Sequence, residues 1–114
     1  MPKYMLLLHE SPTAFKGLSP AEIQTVIQKY FDWKNRLERE GRYLGGEKLK
    51  PEGRTVHRRG SAVEVTDGPF GEAKEVVGGF FMMEADSFEH AIELAKGGPH
   101  LDRGWIEIRQ VDPH

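Results

Sequence analysis

The sequence contains no cysteine, which excludes disulfide bonds, thiolate metal sites and a cysteine nucleophile. The apolar run within residues 1–9 is too short for a signal peptide or a membrane span. Neither sign of charge dominates, since 16 basic and 18 acidic residues nearly cancel. We therefore expect a cytoplasmic protein with no membrane-spanning segment and no broad electrostatic attraction for nucleic acid.

The motifs of several common cofactor and catalytic sites are also missing. The five histidines include no helical His-x-x-x-His pair, so the sequence predicts no metal site. It has no phosphate-binding loop, dinucleotide fingerprint or nucleophile elbow, and we expect no cofactor. The 114 residues suffice for one domain, residues 1–114, that buries about 65% of its unfolded surface.

Hydrophobic periodicity predicts six strands and two helices. The first helix has the clearest boundaries: Ser19 suits the N-cap, Glu22 completes a capping box, and Gly41 suits the stop. The second helix opens in the same way, with Asp86 as its expected cap. The predicted elements are strands at Tyr4–His9, Arg42–Leu49, Arg54–Arg58, Ser61–Thr66, Val76–Ala85 and Trp105–Val111, and helices at Pro20–Glu40 and from Asp86 to Gly97.

The strand patterns predict the fold class and an oligomeric state. Tyr4–His9 and Val76–Ala85 are apolar on both faces, as central strands are, whereas Trp105–Val111 is polar on one face and fits an edge. The order of elements is the split βαβ order of a ferredoxin-like fold. We expect an α+β protein whose antiparallel sheet carries two helices on one face. The other face would then be apolar and uncovered, which predicts a homodimer.

Asp67 is the first candidate functional residue. Ser61, Val63 and Val65 share its strand parity, so it would end an otherwise largely apolar face. Its carboxylate could cap the turn that follows, pair with Arg54, or act as a base at the rim of a pocket.

The same strands predict a hairpin register. With Arg59 and Gly60 as the loop, Val56 lies opposite Val63 and Arg54 lies opposite Val65, diagonal to Asp67.

Two histidines are the other candidates. His100 follows Gly97-Gly98-Pro99, in the loop between the second helix and the last strand. A histidine there could act as a general acid or base near neutral pH, or hold the loop by hydrogen bonds. His9 ends the first strand, where it is either structural or a donor in a pocket.

The central turn carries a family resemblance. Asp67-Gly68-Pro69-Phe70, followed by Glu72, Lys74-Glu75 and Gly78-Gly79, resembles the DGPF-type branch of the YCII-related family, and the likeness extends over nearly the whole chain. It implies a dimeric α+β barrel, in which two sheets pack face to face. Some relatives are thought to act through a His–Asp pair, one class as a lyase that removes chloride from a hydroxylated ring. Their histidine lies in the first helix, where this chain has Tyr30.

These observations lead to a functional hypothesis with two alternatives. We expect a small-molecule pocket with proton-transfer chemistry of the lyase or isomerase type. Asp67 and His100 would be catalytic, and His9, Arg54 and Phe70 would contact the ligand. The first alternative is a non-catalytic ligand-binding or accessory dimer linked to transcriptional regulation, since some DGPF-type relatives are encoded beside alternative sigma factors. The second is a purely structural dimer.

Overall fold

The computed structural model describes residues 1–68 and 75–113. It confirms the predicted order of elements, with ends that differ by a few residues. A short 3₁₀ helix, Pro99–Asp102, comes before the last strand. The elements are β1 Lys3–Glu10, α1 Pro20–Arg39, β2 Tyr43–Lys48, β3 Arg54–Arg59, β4 Ala62–Asp67, β5 Val76–Glu84, α2 Phe88–Lys96 and β6 Gly104–Gln110.

The main sheet has four antiparallel strands in the order β2-β5-β1-β6. The two strands that are apolar on both faces, β1 and β5, are central, and β6 is an edge, as predicted. At the middle of the sheet, Leu6 of β1 lies opposite Phe81 of β5 on one side and Ile108 of β6 on the other.

Both helices pack on one face of this sheet. Trp33 of α1 stacks on Phe81 with ring centroids 4.6 Å apart, and Phe88 of α2 meets Tyr4 edge to face at 5.5 Å. Tyr4 and Phe81 point to the same side, since both belong to the parity that contains Leu6. The prediction of an α+β fold with its helices on one face is confirmed. None of the helices within residues 1–68 and 75–113 is long and apolar enough to cross a membrane.

The helix starts follow from local side-chain chemistry. The Glu22 backbone N–H donates to the Ser19 hydroxyl at 3.1 Å, and the Ser19 N–H donates to the Glu22 carboxylate at 3.0 Å. That backbone bond lowers the pKa of Glu22. In α2 the predicted cap was wrong by one residue: the Ser87 hydroxyl accepts from the His90 N–H at 3.1 Å, so Ser87 is the N-cap.

The opposite face of the sheet is apolar at its centre, and none of the helices within residues 1–68 and 75–113 covers it. Met5 and Leu7 of β1 lie opposite Met82 and Phe80 of β5, and all four side chains are half-buried. The predicted apolar face is therefore present.

A bulge interrupts β5 where it passes the end of β1. Leu8 pairs with Gly79, but His9 pairs with Val77, so Gly78 is an extra residue in the strand. A side chain at Gly78 would overlap the carboxyl group of Glu10. The two adjacent glycines thus serve a bulge and a close approach, which offsets the stability that glycine costs inside a strand.

Strands β3 and β4 form a separate two-stranded hairpin, which pairs with no other strand in the described part of the chain. Its predicted register was wrong: Arg59 pairs with Ala62, so Gly60 and Ser61 form the loop, and Gly60 adopts a φ of +63°. The shift places Val56 opposite Val65 and Arg54 directly opposite Asp67.

The hairpin's apolar side chains are exposed. Val56, Val63 and Val65 are 66%, 58% and 60% exposed. The radius of gyration is 16.0 Å, above the roughly 13 Å of a compact chain of this length. The chain is therefore an extended layer rather than a sphere.

Candidate functional site

A cluster of three polar side chains lies where β1 ends. Glu10 is the last residue of β1, Tyr30 lies in the middle of α1, and His100 belongs to the 3₁₀ helix before β6. His100 is 1% exposed, and its two ring nitrogens have separate partners. Nδ1 lies 2.7 Å from the Tyr30 hydroxyl, and Nε2 lies 2.7 Å from the backbone carbonyl of His9.

Simple donor and acceptor rules assign the protons in this chain of hydrogen bonds. A carbonyl oxygen only accepts, so His100 Nε2 carries a hydrogen and donates it to His9. In neutral His100 the remaining nitrogen, Nδ1, accepts from the Tyr30 hydroxyl. When His100 gains a proton, Nδ1–H donates to the Tyr30 oxygen and the Tyr30 O–H is free to donate elsewhere. The charge of one imidazole thus sets what Tyr30 offers a ligand.

Glu10 is a buried carboxylate that lies beside this pair. It is 6% exposed and sits against the bulge at Gly78. Within the described part of the chain, no hydrogen bond or ion pair reaches its side chain. The Glu10 oxygens are not among the fully buried unpaired atoms of the described chain, so the carboxylate keeps some contact with solvent and is available to a ligand.

The environment of Tyr30 favours its protonated form. Burial raises the pKa of Tyr30 well above its ordinary value, and the negative charge of Glu10 raises it further. Arg103 opposes this shift, whereas Asp102 adds to it. The hydroxyl therefore remains a hydrogen-bond donor throughout the neutral range.

Gly104 allows the strands to close around the cluster. It pairs with Glu10, and a side chain there would overlap the His9 carbonyl and lie 2.9 Å from His100 Nε2. The absence of a side chain at position 104 thus protects the bond between His100 and His9.

The structure places Asp67 and Arg54 elsewhere. The two residues lie on the hairpin, where the Asp67 carboxylate is 3.7 Å from Arg54 Nε and both side chains are largely exposed. Of the three roles considered for Asp67, this geometry favours the ion pair. Asp67 and His100 belong to different surfaces and share no contact in the described chain. Phe70, the third candidate near this turn, lies outside the described residues.

His9 faces away from the cluster although its carbonyl belongs to it. Its ring stacks on Trp105 at 5.6 Å, and Nε2 lies 2.8 Å from the Glu107 carboxylate. These side chains occupy the helix-free face, because successive residues of a strand point to opposite sides. His9 therefore contributes its backbone, not its ring, to the site.

Sequence reasoning missed the role of Glu10 and placed Tyr30 only by analogy with the family. A signal for Glu10 was present: it continues the buried parity of Tyr4, Leu6 and Leu8. A charged residue at a core position is uncommon unless it has a task. Tyr30 could be linked to His100 only after folding, because 70 residues separate them along the chain.

Comparison with known proteins places the chain in a family. No curated protein matches it. Among solved structures it is similar to the protein At3g17210 from Arabidopsis thaliana, known from an ensemble refinement of its crystal structure. The two share 16% identity, with 100% of this chain and 96% of that chain covered and a TM-score of 0.39. The YCII-related domain profile matches residues 2–114. The narrower assignment to the DGPF-type branch stays a prediction, but the chain belongs to the YCII-related domain family.

Proposed function

We propose that this protein binds a small organic molecule and transfers a proton on it, with Glu10 as the base and Tyr30 as the hydrogen-bond donor. The observation that carries this proposal is the buried Glu10 carboxylate, which has no partner in the described chain and lies beside the Tyr30–His100 pair. This replaces Asp67 as the base, because Asp67 is exposed on the hairpin.

The reaction that suits these groups is enolisation. The Glu10 carboxylate takes a proton from a carbon next to a carbonyl group, and the electron pair of that C–H bond forms a carbon–carbon double bond. The carbonyl oxygen takes the Tyr30 proton, and protonated His100 replaces it from Nδ1. The products are an enol, a neutral Glu10 carboxyl group and a neutral His100. To complete an isomerisation, Glu10 returns its proton to another carbon of the conjugated enol, while the enol O–H proton passes back to Tyr30 and the Tyr30 proton returns to His100 Nδ1.

The proposed reaction requires Glu10 and His100 to be in opposite protonation states. Glu10 must be ionised to accept a proton, and His100 must be protonated to leave the Tyr30 O–H free. Tyr30 itself stays protonated at neutral pH, because its pKa is raised. It therefore donates a hydrogen bond to the carbonyl oxygen while negative charge develops there, before its proton passes to that oxygen, and this hydrogen bond is expected to lower the barrier.

Proton abstraction can be tested without knowing the natural substrate. Phenylpyruvate and acetoacetate carry acidic C–H bonds, and their exchange with deuterium in D₂O is visible by NMR. We expect the protein to accelerate exchange on at least one of them, and Glu10→Gln to reduce that acceleration by about 100-fold or more. Asp67→Asn is the matched control and should exchange like the wild type. Equal acceleration by Glu10→Gln and the wild type would rule out Glu10 as the base.

One observation favours a second candidate function. Both ring nitrogens of His100 already have partners within the chain, which suits a rigid wall of a binding pocket. A non-catalytic ligand-binding or accessory protein, the alternative that includes a regulatory role, would use the same residues without proton transfer. Ligand binding that leaves deuterium exchange at the rate without protein would favour this candidate.

We also propose that the protein acts as a homodimer, joined through the helix-free face of the sheet. This face presents Met5, Leu7, Phe80 and Met82, which no element within residues 1–68 and 75–113 covers. Sheets with an uncovered apolar face commonly bury it against another subunit. The proposed proton-transfer site lies on the opposite, helix-bearing face, so the dimer interface would not cover it.

A further inference from the structure

We propose that the ligand of the Glu10–Tyr30–His100 site is a small organic acid whose carboxylate is bound by Arg103 and Lys48. This inference rests on the proposed function, because it assigns the substrate class of the same site. Two cations from distant parts of the chain each lie against the same aromatic ring, Phe15. Arg103 comes from the turn before β6, and Lys48 ends β2.

Phe15 is the point on which the two cations converge. It lies in the segment between β1 and α1, with Lys48 Nζ 5.2 Å and Arg103 Cζ 5.7 Å from its ring centroid. A phenyl ring attracts cations through its negative face, so the ring helps to hold both side chains in place. It supplies no full negative charge to neutralise them.

The charges of both cations remain available to a ligand. Neither forms an ion pair with a carboxylate in the described chain, and the hydrogen bond recorded for Lys48 is a 3.5 Å contact with the adjacent Leu49 carbonyl. By contrast, Lys34, Arg42 and Lys96 each pair with an acidic side chain. An anion would satisfy both groups, and a guanidinium matches the geometry of a carboxylate.

The position of Arg103 connects the cations to the reacting groups. Its backbone N–H donates to the His100 carbonyl at 3.0 Å, and the next residue, Gly104, pairs with Glu10, so Arg103 lies directly beside the cluster. Its positive charge opposes the rise in the pKa of Tyr30 that burial causes. Glu10 and Asp102 are the acidic groups that also act on Tyr30. A carboxylate bound at Arg103 would therefore hold a small acid next to the segment that carries the reacting groups.

The experiment compares acids with their neutral esters. Phenylpyruvate, acetoacetate and the methyl ester of each are titrated into the full chain, with binding followed by NMR. We expect at least one acid to bind about tenfold more tightly than its ester. Arg103→Gln and Lys48→Gln should each weaken the acid about tenfold without changing the ester. Arg103→Lys should retain part of the affinity.

Arg39→Gln is the matched control, since it removes one positive charge from the far end of α1. Three results would overturn the inference: acid and ester bind equally, Arg103→Gln behaves like Arg39→Gln, or neither acid binds at about 10 mM. Failure of the proposed function has a different signature. In that case Glu10→Gln would retain catalysed deuterium exchange, while the effect of Arg103 on acid binding would persist.

Discussion

The end of β1 and the hairpin both bring ionisable side chains together, yet they differ in every property that matters for chemistry. At the end of β1, Glu10 and His100 are buried and three elements of the fold hold them. On the hairpin, Arg54 and Asp67 face each other across one strand pair and remain exposed. Water screens the second pair, so its interaction contributes little to stability or reactivity. Burial, not the presence of a carboxylate, distinguishes the two regions.

The comparison also shows why an alternating pattern can mislead. Val56, Val63 and Val65 alternate as the side chains of a half-buried strand do, but no element within the described ranges covers their face. A strand pattern predicts which side chains share a face, and it does not say whether anything packs there. Asp67 was selected as a candidate because it ends a face that the pattern suggested was buried. Glu10 ends a face that is buried in the structure.

The largest expected effect is on stability, when one glycine in each region is replaced by alanine. Gly104→Ala should destabilise the fold by about 3 kcal/mol, because the new methyl group collides with the His9 backbone. Gly53→Ala, at the base of the hairpin, meets no atom within 4 Å and should be nearly neutral. Urea denaturation of both variants gives the comparison. Similar stabilities would show that the strands at the end of β1 can separate at little cost.

Replacing the polar groups themselves should have the next largest effect. His100→Gln cannot maintain both the Tyr30 and the His9 hydrogen bonds and should cost roughly 2 kcal/mol of unfolding free energy. Asp67→Asn should stay within about 0.5 kcal/mol of the wild type, because its side chain is exposed. Thermal melts with matched denaturant curves measure both changes. A larger loss of unfolding free energy for Asp67→Asn than for His100→Gln would show that the hairpin, not the end of β1, depends more on its polar contacts.

The two uncovered apolar surfaces can be compared in the same way. If the sheet face forms the dimer, Leu7→Lys should reduce the sedimentation mass from about twice the monomer to the monomer value. The substituted lysine lies next to Glu107 in register, so the isolated subunit can accommodate it. Val63→Lys on the hairpin is the control and should remain dimeric. Dissociation by Val63→Lys alone would assign the interface to the hairpin instead.

Much of the fold could be predicted because local signals and periodicity carry it. The capping box at Ser19, the two-sided apolar strands and the glycines of β5 each predict a feature that the structure contains. The site could be predicted only in part. His100 was identified from its loop, but its partners come from 70 and 91 residues away, and no local pattern encodes them. The hairpin register failed for a smaller reason, since a different loop moved every pair by two residues.

The smallest expected effect is the pH dependence of Tyr30. Its pKa in the folded chain lies above the ordinary value of 10.0, so the unfolded chain releases the proton first as pH rises. The stabilisation is complete below about pH 9 and decreases above about pH 10, where the unfolded state binds fewer protons than the folded state. Tyr30→Phe cannot release this proton, so its stability difference from the wild type should be constant at neutral pH and shrink in alkali.

Urea denaturation between about pH 8 and pH 11 tests this difference, with Asp67→Asn as the variant from the other region. The change should be well below the roughly 1.4 kcal/mol per pH unit of a full proton, because Tyr30 is only half-buried and solvent screens it. The raised pKa of Tyr43, which burial causes, is common to all three proteins, so its effect cancels. Parallel curves for the wild type and Tyr30→Phe would mean that Tyr30 ionises as freely as an exposed tyrosine, and that neither burial nor the charge of Glu10 acts on its hydroxyl.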